Sequence, residues 1–157
     1  MRLDKFIQPK SSDPYGKVKK YSEGMYCPVC QALYQQGRWK WPRKGDALRQ
    51  PCLCSACRRI RDRFPAGEVH ISGKYLIAHK REIMNLIQNV ISEEERRSPL
   101  KRVIDFRNEN GELCVSFTDD HLARRIGEAL HKAYKGDLNV KYSDGERFVR
   151  LYWHRDL

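Results

Sequence analysis

Apolar positions along this 157-residue chain fall into two regimes that meet near Pro65-Ala66-Gly67. Beyond that point short alternating runs and longer helical stripes follow one another. Val69-His70-Ile71 reads as a strand. Ile83, Leu86, Ile87, Val90 and Ile91 recur at helical spacing and predict a helix from about Tyr75 to about Arg96, which Ser98-Pro99 stops. Val103-Ile104-Asp105-Phe106 and Leu113-Cys114-Val115-Ser116-Phe117 read as strands joined through Asn110-Gly111, residue types that accept the positive φ of a tight hairpin. Thr118 or Asp119 caps a second helix with Asp119 and Asp120 in its first turn, Lys132 and Lys135 in its last and Gly136 beyond it. Its apolar stripe is Leu122, Ile126, Ala129, Leu130 and Ala133. Strands over 138–142 and 148–153 then pair across Ser143-Asp144-Gly145-Glu146. The order β-α-β-β-α-β-β predicts an α+β fold over residues 67–157: a ferredoxin-like split β-α-β sandwich with one extra strand, both helices on one face of the sheet.

Upstream the apolar pattern thins. Residues 1–20 carry few large apolar side chains and predict a flexible basic arm. Residues 21–66 alone cannot bury a core, but they hold five cysteines. Cys27-Pro28-Val29-Cys30 and Cys54-Ser55-Ala56-Cys57 are two C-x-x-C turns separated by a couple of dozen residues. Each turn aims two sulfurs at one point, and a hairpin between them brings four thiolates around one tetrahedral ion. Residues 21–66 are therefore expected to be a four-cysteine zinc ribbon with Cys27, Cys30, Cys54 and Cys57 as ligands of one structural Zn2+. Cys52, one residue too close to Cys54, is expected to be a small buried side chain or a loop residue, and Cys114 a packed thiol.

Between the turns, Trp39 and Trp41 alternate with Arg38 and Lys40, and Arg43 and Lys44 follow. This reads as a strand with rings on one face and cations on the other, suited either to covering the metal or to stacking on unpaired bases. After the second turn, residues 58–64 read as a short helix with Ile60 and Phe64 inward and Arg58, Arg59, Arg61 and Arg63 fanning out.

Charge sharpens the division. The chain carries a formal +11. Residues 1–66 hold 15 Lys/Arg against 5 Asp/Glu, whereas residues 67–157 hold 16 against 15. Four thiolates on a divalent ion would still leave the first part at about +8. A field this lopsided attracts a polyanion, and nucleic acid is the usual one. Arg124, Arg125 and Lys132 on the polar side of the second helix are a candidate second contact. The Glu93-Glu94-Glu95 run reads as a solvated helix end.

Enzymatic signatures are not evident. Gly73-Lys74 has no earlier glycine at the spacing of a phosphate loop, the histidines are scattered, and a four-cysteine site leaves no open coordination position. No signal-peptide pattern and no apolar run of about eighteen residues is present, so a cytoplasmic, non-membrane protein is expected, without a small-molecule substrate.

Several stretches together resemble a small family of bacterial zinc-ribbon proteins: 26–30, 37–41, 54–67, Ser98-Pro99-Leu100, 121–130 and 133–136. More remotely, a ribbon followed by an α/β domain is similar to part of the adaptor that exports the eukaryotic large ribosomal subunit and its archaeal relatives. That family carries several C-x-x-C pairs where this chain has two. The resemblance implies a ribosomal partner: rRNA, with ribosomal proteins as further candidates, in assembly, hibernation or quality control. A DNA-binding or transcription-associated zinc protein and a thiol-based redox or metal sensor are the alternatives.

Overall fold

The computed structural model describes residues 20–143, 145 and 147–157. The arm assigned to residues 1–20 thus lies outside the described residues apart from Lys20, as do Asp144 and Glu146 of the last turn. The architecture is α+β with two sheets and two apolar cores.

The first sheet is built from very short strands: β1 Met25–Tyr26, β2 Leu33–Gln35, β3 Arg38–Lys40 and β4 Gln50–Pro51, in the order β3-β2-β1-β4. Gln36 and Gly37, both at positive φ, make the two-residue turn that lets β2 and β3 pair with Tyr34 opposite Trp39. β4 runs parallel to β1, which places the second cysteine turn beside the first. Helix α1, Ser55–Asp62, follows directly, and Arg63 ends it in the left-handed region at φ 51°.

The second sheet contains β5 Gly67–Ser72, β6 Val103–Glu109, β7 Glu112–Phe117, β8 Asp137–Tyr142 and β9 Val149–His154, in the order β6-β7-β5-β9-β8. The expected first helix is broken at His79 into α2, Lys74–Ala78, and α3, Lys80–Arg97; α4 spans Asp120–Tyr134. Asp119 is its N-cap and accepts from the Leu122 N–H at 2.9 Å. Asn110 and Gly111, both at positive φ, make the predicted tight turn between β6 and β7. β5 and β6 are parallel with β7 between them, a split β-α-β arrangement.

Of the last two strands, β9 is internal. β9 pairs parallel with β5 and antiparallel with β8, separating the two. Side-chain chemistry explains the placement: β9 alternates buried Val149, Leu151 and Trp153 with exposed residues, whereas β8 is mostly exposed and takes the edge. One face of the sheet packs on the helices through Val69, Ile71, Val115, Phe117, Leu151 and Trp153 against Ile83, Ile87, Leu122 and Ile126.

Candidate metal centre

The two cysteine turns converge because short backbone bonds fix them. Cys27 N–H donates to Ala32 O at 2.8 Å and Gln31 N–H to Cys27 O at 2.8 Å, folding the first turn back on itself. Cys52 N–H donates to Tyr26 O at 2.8 Å, fastening the second strand beside it. Cys54 then caps α1, its sulfur accepting from the Cys57 N–H at 3.3 Å. The four sulfurs of Cys27, Cys30, Cys54 and Cys57 all lie within 4.8 Å of one another.

A tetrahedron of sulfurs about 2.3 Å from a central ion has edges of about 3.8 Å. Cys30 Sγ and Cys54 Sγ stand 3.8 Å apart. The arrangement is compatible with one metal ion, and its chemistry agrees. Without a cation, the hydrogen bond with Cys30 and burial push the Cys54 thiol up. Burial and the neighbouring sulfurs of Cys30 and Cys27 raise Cys57 to about 11. The bond from Cys54 holds Cys30 down at about 5. A bound cation would let the sulfurs of Cys30, Cys54 and Cys57 ionise together.

Cys52 stays outside the group, buried with its thiol toward Leu53 O at 3.9 Å. Trp39 packs into the same cluster at 6% exposure, edge-on to Tyr21 and Tyr34 at 5.2 and 5.4 Å. It packs over the cysteine cluster and offers no open plane to a base. Its indole N–H has no acceptor among the described residues. Trp41 lies half-buried and donates to Glu95 O at 2.7 Å, tying the module to the end of α3. Arg102 completes the junction, bridging Cys57 Sγ at 3.9 Å and Glu95 at 3.4 Å.

No protein-family model, curated protein or solved structure matches the chain. Function must be read from the site.

The cations expected to meet a polyanion divide into two sets. Arg38, Arg43 and Lys44 are exposed and Lys40 half-buried, none with a carboxylate partner among the described residues. Lys132 is exposed on α4. The others are engaged. Arg59 is 3% exposed, donating to Phe64 O at 2.9 Å with its guanidinium over the Phe64 ring, so it faces inward and Phe64 is left partly exposed, the reverse of the expected helix face. It answers the carbonyl left over where α1 turns into the left-handed region. Arg58 donates to the Tyr21 hydroxyl at 2.6 Å, Arg61 pairs with Asp62 at 2.8 Å, and Arg63 with Asp105 at 3.3 Å.

On α4, two of the three cations of the candidate second contact have partners within the chain. Arg125 pairs with Glu93 and Glu94, and Arg124 with His121. Glu94 is itself only 5% exposed and takes Lys101 at 3.0 Å, so at Glu94 the acidic run is a buried ion-pair hub, while Glu93 and Glu95 stay partly solvated. Three-residue spacing puts Glu94 on the buried face of α3, a sign the sequence held.

One group was invisible to spacing. Glu68, His70 and Cys114 meet on the helix-free face of the second sheet, because His70 pairs with Cys114 across β5 and β7. Arg107 donates to Cys114 Sγ at 3.0 Å, and Arg107 and Arg150 flank Glu68 at 3.8 and 3.5 Å. With two guanidiniums already in place, this is a satisfied polar network.

No helix among the described residues is long and apolar enough to cross a membrane.

Proposed function

We propose that this chain is a non-enzymatic RNA-binding protein whose basic module is shaped by one structural zinc ion. The observation that carries the reading is the run Arg38, Lys40, Arg43 and Lys44, held beside the four-sulfur centre without carboxylate partners among the described residues. Thiolate ligands favour zinc among the divalent ions of a reducing cell. A full set of four sulfurs fits a structural and not a catalytic ion. The ion's task is to fix the β3 strand and the loop after it, so that cations project at set positions toward phosphates.

The partner is a structured RNA, and the family resemblance of the cysteine turns and their flanks directs the reading to rRNA on the ribosome in the cytoplasm, with ribosomal proteins as a second class of contact. The second sheet, with β5 and β6 parallel around β7, supports a ferredoxin-like domain enlarged by an internal strand.

Binding of a fluorescent structured RNA, followed by anisotropy across a salt series, tests the reading. Wild-type affinity should fall steeply with salt. Arg43→Glu with Lys44→Glu should weaken binding at low salt and reduce the salt slope by about two, with zinc content unchanged. Equal binding of the double variant, or no binding of RNA at low salt, overturns it.

A further inference from the structure

Beside the metal module lies a cleft of about 440 Å³, within the size range of small-ligand sites. It opens between β3 and the end of α3, and its two sides differ. Arg38 and Lys40 come from the metal module and Arg97 from the last turn of α3. No carboxylate lines it among the described residues. Arg97 is loosely held: Glu93 and Glu94 approach it only to 3.9 Å, too far for a hydrogen bond, and its side chain is 67% exposed.

The hydroxyls add to the donor excess. Tyr21 Oη already accepts from Arg58 at 2.6 Å, and Ser98 Oγ from the Leu100 N–H at 3.3 Å. Each therefore keeps its own O–H for a new acceptor. The rest of the lining is aromatic and apolar: half-buried Tyr21 and Tyr34, set against the edge of buried Trp39, with Leu100. Three cations, two poised donors and two half-buried tyrosine rings lining one cleft suit a ligand that is anionic at one end and planar at the other.

We propose that this cleft binds a nucleoside monophosphate unit, its phosphate on Arg38, Lys40 and Arg97 and its base against Tyr21 and Tyr34. The identification of that unit as an unpaired residue of a bound RNA rests on the RNA-binding reading above; a free mononucleotide offers the same chemistry.

The test is a titration of the full-length, zinc-loaded, 15N-labelled protein with adenosine 5′-monophosphate, reading the indole N–H signal of Trp39, which forms part of the wall. Adenosine and inorganic phosphate serve as separate controls, and a structured RNA is titrated in parallel. The mononucleotide should give a saturable shift, and each control should require at least about tenfold more ligand. Arg97→Gln should weaken the mononucleotide roughly ten- to a hundredfold, the loss expected for one charged hydrogen bond, while leaving zinc content and the ligand-free spectrum intact. Lys40→Gln should act in the same direction.

A missing shift, an equal response to phosphate alone, or wild-type affinity in both variants overturns the proposal. RNA binding without a mononucleotide response removes the cleft and leaves the RNA reading standing. A mononucleotide response without RNA binding does the opposite, and makes the cleft a site for free nucleotide.

Discussion

Removing the ion should unfold the first sheet and spare the second. Apart from cysteines, the side chains buried around the four-sulfur site are Ala32, Trp39 and Ala56, with Leu33 close by on β2. Their burial supplies at most about 10 kcal/mol at ~25 cal/mol per Å². A structural zinc in a small module contributes about 10–16 kcal/mol near neutral pH, so its loss removes the larger share of what holds the strands. The second sheet has its own core, with Trp153 fully buried and its N–H bonded to Lys135 O at 2.6 Å. The three tryptophans thus report on two regions, Trp39 and Trp41 on the cysteine module and Trp153 on the second sheet. In protein labelled with 5-fluorotryptophan, chelation should send the fluorine signals of Trp39 and Trp41 to unfolded positions while that of Trp153 stays. Raised Cys54 and Cys57 thiols also mean that metal binding releases protons, so the chelator concentration needed should fall as pH is lowered. Loss of the Trp153 signal together with the others would show one cooperative unit and refute the separation. A native Trp39 signal in metal-free protein would refute the structural role of the ion.

Glu94→Gln should cost about 2 kcal/mol at neutral pH, because it strands Arg125 and Lys101, which are themselves partly solvated. Burial works to raise the Glu94 carboxyl, but Lys101, Arg125 and Arg97 outweigh it and hold the group below the usual carboxylate range. The stabilisation is therefore present above that range and lost as pH falls through the depressed value, so urea midpoints of wild type and variant should converge in acid. Gly73→Ala places a Cβ 2.0 Å from Arg155 O at a φ of 107°, and should destabilise by about 3 kcal/mol or more, read by thermal melting. Gly127→Val drives its side chain into Leu151, 2.4 Å from a Cβ at that position, and should lower the melting temperature without altering metal content.

Much of this molecule was legible because local chemistry decided it. The paired C-x-x-C turns, the Asn110-Gly111 hairpin and the Asp119 cap each depend on a few neighbouring residues. What escaped depends on distant partners. Arg59 sits on a helix between half-buried Arg58 and exposed Arg61, and only the bend at Arg63 gives it a carbonyl to answer. Glu94 looks like its neighbours Glu93 and Glu95 until α4 brings Arg125 against it. Cys114 and His70 become neighbours only through strand pairing. The inward alternation of Val149, Leu151 and Trp153 was visible, but pairing with β5 instead of an edge position is a long-range choice.

The internal seat of β9 has a consequence for synthesis. All four clustered cysteines precede residue 58, so an ion bound there would close the module as soon as that stretch leaves the ribosome. The larger sheet stays split between β5 and β8 until the strand after residue 148 arrives to join them. For most of its translation, this chain would be a finished ribbon trailing an incomplete domain, and any partner that needs only the ribbon could engage it before the rest has folded.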